Sequence, residues 1–395
     1  MDELRTPQAA ATWLEETDGC LDTFIKQLND ETRASDVPHA IDIQKNIPIY
    51  SGDDVRGLAS DISRRKALLS EWTDVLANGA GAIVIKQGMA DLDVVDGASE
   101  VFDGLLNREK AQSGGGGDHF AKAGSNDRVW NALEKHCLFD PENFARYYGS
   151  DCIAMAAEAW LGRGYQVTAQ VNRVNPGGTA QKPHRDYHLG FMLPSQTLEF
   201  PRHAHAMSPF LTLQGAVAHC DMPLESGPTQ LLPFSQRFLE GYLAFTREGF
   251  QDHFATHHVQ LPLSKGDLLF FSPAIMHAAG NNVSSDIFRM ANLLQISSAF
   301  GRAMENINRY RMCLAIYPVL LQARQTGSIG AGEVRNAVHS CAEGYAFPTN
   351  LDRDPPIGGL APKSQTDLML EALDNALSAD QFADYLDQLE QRQQP

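Results

Sequence analysis

The stretch PHRDYHLGF, residues 183–191, sets His184, Asp186 and His188 two residues apart. Read as a β-strand, it turns all three side chains to one face. Neighbours at that spacing sit ~6.6–7 Å apart at Cα and can share an ion, whereas His184 and His188 are ~13 Å apart. Bonds of about 2 Å to a metal do not span the longer gap. The segment thus offers His184 and Asp186 as a ligand pair and leaves His188 for a substrate or neighbouring contact. The bland reading of any one buried histidine is a hydrogen-bonded core residue, so a third ligand on another strand is needed.

His277 suits that place. It ends the apolar run GDLLFFSPAIMHA (266–278) and leads into a polar turn, where functional side chains concentrate. His203 and His205 read as loop residues, His257 and His258 are adjacent so that at most one faces inward, and His219 lies within a strand. Twelve residues after His277, Arg289 opens the apolar strand FRMANLLQIS (288–297). An arginine entering such a strand needs an anionic partner. Two histidines and one carboxylate are the facial triad of non-haem iron oxygenases. The open positions admit a 2-oxo acid and O₂, with an arginine forking the distal carboxylate of the acid.

The rest of the chain bounds this reading. At 395 residues it is long enough for one large core with appendages or for two domains. Lys and Arg number 32 against 49 Asp and Glu, a net charge of −17 that argues against a nucleic-acid partner. The six cysteines form no CxxC pair, and no apolar run reaches membrane-spanning length. The acidic start, broken by Thr6-Pro7, does not read as a targeting peptide, so a cytoplasmic location is expected.

Three stretches are expected along the chain. Residues 1–78 read as an N-terminal helical segment, with Leu14, Leu21, Ile25 and Leu28 at helical spacing and a second helix over 61–76. Residues 79–300 read mainly as β-structure: an early strand at 82–86, then QVTAQVNRV, HRDYHLGF, FLTLQGAVAHCDM, THHVQLPL, GDLLFFSPAIMHA and FRMANLLQIS, most of them separated by turn clusters. Such punctuation predicts a sandwich or barrel. Residues 301–395 read as a C-terminal helical extension, with a last helix starting at Ser378 in a capping box with Gln381. SGGGG (113–117) reads as a surface loop or a lid over a pocket, and no GK[ST] follows to make it a P-loop.

HRDYHLG (184–190), LESGPTQLLPFSQ (224–236) and KGDLLFFSPAIMHAAGNNVSSDIFR (265–289) together resemble the signature blocks of the phytanoyl-CoA dioxygenase family, over roughly Gly81 to Ser298. The resemblance implies a double-stranded β-helix, or jelly-roll, core flanked by α-helices, α+β overall. It implies iron(II) held by His184, Asp186 and His277, 2-oxoglutarate bound by Arg289, and O₂ as oxidant, with ascorbate in support. In similar enzymes the strand before HxD also meets the co-substrate. Were Val171, Arg173 and Asn175 its inward face, Asn175 would touch 2-oxoglutarate and Arg173 the substrate. Lys122, in the segment after the glycines, is a further 2-oxoglutarate contact. The implied activity is hydroxylation of a small organic substrate coupled to conversion of 2-oxoglutarate to succinate and CO₂. Halogenases of this group carry a small residue where Asp186 stands. Two features depart from the family pattern: Ala279 replaces a frequent Ser or Thr, and Arg185 a frequent Gln. Arg185 is expected to point away from the metal.

Competing readings are a non-catalytic metal- or ligand-binding β-helix protein and a cupin-type metalloenzyme without 2-oxoglutarate. A kinase reading of HRD lacks the glycine-rich loop and DFG, and no GxSxG elbow supports a hydrolase. Neither the substrate's identity nor the oligomeric state has a signature in the chain.

Overall fold

Several strands of this chain carry hydrocarbon on both faces, and the two faces meet different layers. In the computed structural model, which describes residues 12–113 and 125–395, Ile83, Ile85, Leu268 and Phe270 point into a core shared with helices. Their neighbours Ala82, Val84, Leu269 and Phe271 point the other way, into a second core with Ile275, Leu231 and Leu263. A strand buried on both faces reads as an unbroken apolar run, as LLFF and AIVI do.

The described residues form ten strands: β1 (Asp42–Gln44), β2 (Ile47–Ser51), β3 (Ala82–Lys86), β4 (Asn126–Val129), β5 (Gln166–Val174), β6 (Thr212–Ala218), β7 (Gln230–Leu232), β8 (Leu268–Phe271), β9 (Met276–Ala278) and β10 (Arg289–Ser297). Eight of them make one sheet in the order β1-β2-β3-β8-β6-β10-β5-β4. The pair β7-β9 forms the small facing sheet, extended by bridges from His184 to His277 and from Leu231 to Val259. This is the jelly-roll core with flanking helices. Beyond the large sheet lies a helical layer that includes Ile62–Ala77, Ala132–Phe139, Pro141–Tyr148 and Asp151–Leu161. The helices Arg309–Thr326, Ala331–Cys341, Gln365–Asp374 and Ala379–Gln393 belong to the same hydrophobic core. Ser378 and Gln381 form the expected capping box.

The N-terminal reading needs correction. Among the described residues of this stretch, the helices Leu21–Leu28, Gly52–Leu58 and Ile62–Ala77 alternate with extended chain, and β1 and β2 add two strands to the large sheet. Ile47, Ile49 and Tyr50 are apolar enough to be core strand, but Pro48 interrupts the run, and nothing nearby marks it as part of the sheet. THHVQLPL is not a strand: its start ends a helix, Glu248–His257, and only Val259 and Leu263 make single bridges. The glycine run 114–117 and Lys122 lie outside the described residues. Among the described residues no helix is long and apolar enough to cross a membrane, and all six cysteines are free thiols.

On its helical side the sheet carries a polar inclusion. His219 meets Ser99 Oγ through Nδ1 and Tyr147 Oη through Nε2, both at 2.8 Å, and Asn292 donates to Tyr147 and Tyr148. Burial pushes His219 down to about 3 and the nearby His136 to about 4. Both rings stay neutral in the fold, while the unfolded chain takes up protons below about 6.5. Their stabilising neutrality is therefore intact above that pH and is lost progressively toward pH 4. Urea denaturation at pH 7 and pH 5 is expected to show His219→Gln losing roughly 2 kcal/mol less on acidification than the wild type. Equal losses in both would show that His219 does not set the acid limit.

Candidate metal centre

The segment 184–186 does not form the strand expected of it. His184 alone pairs with His277, its N–H donating to the His277 carbonyl at 2.9 Å and the return bond spanning 3.0 Å. Asp186 N–H then donates to Pro273 O at 3.0 Å. Past that point Tyr187 and His188 adopt positive φ, 64° and 47°, and the chain coils into a short 3₁₀ turn, His188–Phe191. These left-handed residues break the alternation on which a shared face for His188 depended. His188 instead faces Thr212 Oγ1 at 3.4 Å, outside the lining of the main cavity.

His184, Asp186 and His277 converge, their ligand atoms all within 4.8 Å of one another. Asp186 Oδ1 lies 3.5 Å from His184 Nε2, and its Oδ2 lies 3.3 Å from His277 Nε2. Each ring turns its Nδ1 to a backbone carbonyl: His184 to Lys182 at 2.8 Å, His277 to Ile275 at 2.9 Å. A nitrogen facing a carbonyl carries the proton, so each Nε2 presents a bare lone pair. Two lone pairs aimed at a carboxylate repel until a cation sits among them. The donor set, two imidazoles and one carboxylate, therefore fits a divalent first-row metal.

Electrostatics agree. Burial and the nearby His277 lower His184, which favours the neutral ligand form. Burial opposes ionisation of Asp186, yet a proton-bearing His277 or His184, like the metal that would take that proton's place, and the Gln214 amide favour the carboxylate and hold the carboxyl below the ordinary range. Gln214, on β6 of the large sheet, donates Nε2–H to Asp186 Oδ2 at 2.6 Å. It was missed at the level of sequence, where its signal is a lone amide inside the otherwise apolar run LTLQGAVA.

The cluster opens into a cavity of about 640 Å³, a size usual for small-molecule sites. Arg289 lies in the same cavity at the start of β10, only 7% exposed. It donates NH1 to the Ser226 carbonyl at 3.1 Å, and among the described residues it has no ion pair. Burial lowers its guanidinium to about 10, so it keeps its charge at neutral pH. A buried cation without a carboxylate, open to a cavity, calls for an anionic ligand.

The wall formed by β5 has the opposite face inward from that expected. Gln170 and Asn172 line the cavity. Arg173 points to the helical side, where it pairs with Asp103 at 2.7 Å and Asp127 at 2.8 Å. Asn175 follows the strand outside the cavity lining, its N–H bonded to Ser125 O. Because both faces of β5 are buried, apolarity could not tell inside from outside. Asn172 Oδ1 is buried without a hydrogen-bond partner among the described residues.

A family model described as phytanoyl-CoA dioxygenase (PhyH) matches residues 64–291. No curated protein matches the chain. Among solved structures, the chain is similar to the non-heme alpha ketoglutarate dependent epimerase SnoN from nogalamycin biosynthesis: 20% identity, 59% of this chain and 82% of that one covered, TM-score 0.39. It is likewise similar to the carbocyclase SnoK of the same biosynthesis: 19% identity, 60% and 86% covered, TM-score 0.41.

Calorimetric titration with Co(II) is expected to find one site per chain in the wild type, none in Asp186→Ala, and a site weakened by about tenfold in Gln214→Ala. An Asp186→Ala chain that bound Co(II) as tightly as wild type would exclude this cluster as a metal site.

Proposed function

The chain belongs to the phytanoyl-CoA dioxygenase family, and we propose that it is an iron(II)- and 2-oxoglutarate-dependent dioxygenase that hydroxylates a small organic substrate. The overall change balances as substrate R–H, 2-oxoglutarate and O₂ giving R–OH, succinate and CO₂. The observation that carries this reading is the company Arg289 keeps. A buried guanidinium without an ion pair among the described residues shares one cavity with a His-His-Asp cluster, as a dianionic co-substrate bridging the two would require.

His184, Asp186 and His277 would hold iron(II), which supplies when bound the redox chemistry linking O₂ to the two organic substrates. The residues themselves bind and orient. Arg289 grips the distal carboxylate of 2-oxoglutarate, with one of its nitrogens already fixed by Ser226. Gln214 holds the Asp186 carboxylate at a set rotation. Phe271 lies edge-on to His277, ring centres 4.9 Å apart, and with Met222 and Leu263 forms an apolar wall that limits water. The amides of Gln170 and Asn172 on the opposite wall would meet the substrate or the co-substrate. Retention of a carboxylate at Asp186 supports hydroxylation over halogenation. The free thiols of all six cysteines fit a cytoplasmic setting.

Succinate formation from 2-oxoglutarate with Fe(II), ascorbate and O₂ tests the reading. Wild type is expected to turn over slowly without substrate, and Asp186→Ala not at all. Arg289→Ala is expected to raise KM for 2-oxoglutarate by about 100-fold, since it removes a charge partner from a desolvated carboxylate. Unchanged KM in Arg289→Ala would favour a metalloenzyme that uses no 2-oxo acid.

A further inference from the structure

Between the two ligands His184 and Asp186 stands Arg185, which points the other way and is 1% exposed. Its guanidinium donates NH1 to the Phe238 carbonyl at 3.1 Å and NH2 to the Ser235 carbonyl, and it lies over the Tyr242 ring, 5.3 Å from the centroid. Among the described residues no carboxylate pairs with it. The loop packs tightly around this cation: a Cβ on Gly241 would lie 1.8 Å from the guanidinium carbon. An unpaired, desolvated cation is a costly strut, so a role confined to filling space explains it poorly.

The carbonyls it grips belong to a loop that also holds the other ligand strand. Ser235 Oγ donates to Leu232 O at 2.7 Å and accepts the N–H of Met276 at 2.8 Å. Met276 immediately precedes His277 on β9. One residue, Ser235, therefore touches both arms of the site: its carbonyl takes the residue between His184 and Asp186, and its hydroxyl takes the neighbour of His277. Main-chain bonds join the two arms at His184–His277, from Gln181 N–H to Ala279 O and from Asp186 N–H to Pro273 O, and the Arg185–Ser235 contacts add a side-chain tie beside them.

We propose that Arg185 and Ser235 form a positioning clamp that sets the angle between the His184–Asp186 arm and the His277 arm. The inference rests on the metal centre of the proposed function. The clamp ties the two arms together through one side chain, beside their main-chain bonds, and so fixes how closely three ligand atoms can surround one ion. Arg185 and Ser235 touch no ligand themselves; they act through the main chain.

Co(II) affinity and the visible absorption of the Co(II)-loaded protein test the clamp, alongside the melting temperature of the metal-free chain. Ser235→Ala is expected to weaken Co(II) binding by about 10- to 100-fold and to alter the absorption bands. Arg185→Lys is expected to restore part of the affinity lost in Arg185→Gln. Arg237→Gln serves as a control: it loosens the same loop, through its contacts with Asp30 and the Gln27 carbonyl, without touching either arm. It is expected to lower the melting temperature and leave Co(II) affinity unchanged. Wild-type affinity and bands in Ser235→Ala would overturn the clamp, even if the Arg185 variants failed to fold. So would an affinity loss in Arg237→Gln equal to that in Ser235→Ala. A wild-type chain that bound no Co(II) would overturn the functional reading itself, and the clamp with it.

Discussion

Two backbone hydrogen bonds between His184 and His277 join the parts of the chain on which the site depends. The residues they connect are 93 positions apart by number and belong to segments that share no long ladder. With the bond from Asp186 N–H to Pro273 O, that bridge sets Asp186 against His277, where Gln214, reaching over from the large sheet, orients its carboxylate. A jelly roll supplies such a junction because its smaller sheet leaves an open edge facing the larger one. Polar side chains placed at that edge are surrounded by hydrocarbon yet reach a cavity.

The hydrocarbon is arranged to make this possible. Phe271, Leu263 and Met222 seal one wall, whereas Gln170 and Asn172 on β5 line the other. Two arginines are buried near the cluster without carboxylate partners among the described residues, and their surroundings divide their roles. Arg289 opens onto the cavity and uses one nitrogen on protein. Arg185 spends two nitrogens on carbonyls of a neighbouring loop, with Gly241 pressed against it. The same side chain thus serves as an anion receptor in one place and a brace in the other. The difference lies in what is left unbonded.

Much of this was legible in the sequence. HxD, a histidine at the end of an apolar strand and an arginine twelve residues later form a conjunction with a chemical reason behind each member. The convergence of the first three follows their spacing, although the strand expected for HRDYHLGF is a single bridge followed by a left-handed turn. Other features were hidden for physical reasons. Period-two alternation groups Gln170 with Asn172 and Val171 with Arg173, but it does not say which pair faces in when both faces are buried. Gln214 looks like an ordinary strand residue until the small sheet is laid over it. β1 and β2 lay within a stretch read as helical, because short strands carry no signal of the distant edge, β3, with which β2 pairs.

The helical layer has a bearing on how the protein is made. Leu294 and Ile296 of β10 and Val167 of β5 face that layer, and the helices Arg309–Thr326 and Ala331–Cys341 help complete it. Arg309 even donates to the Val167 carbonyl. As the chain leaves the ribosome, every strand of the barrel emerges before those helices exist. The earlier helices already cover part of the sheet, but the patch that these two complete stays bare until they follow, on the order of several seconds for a few tens of residues. Vectorial synthesis thus makes the barrel wait for helices that follow it, and during that wait the bare patch is open to chaperones or to neighbouring nascent chains.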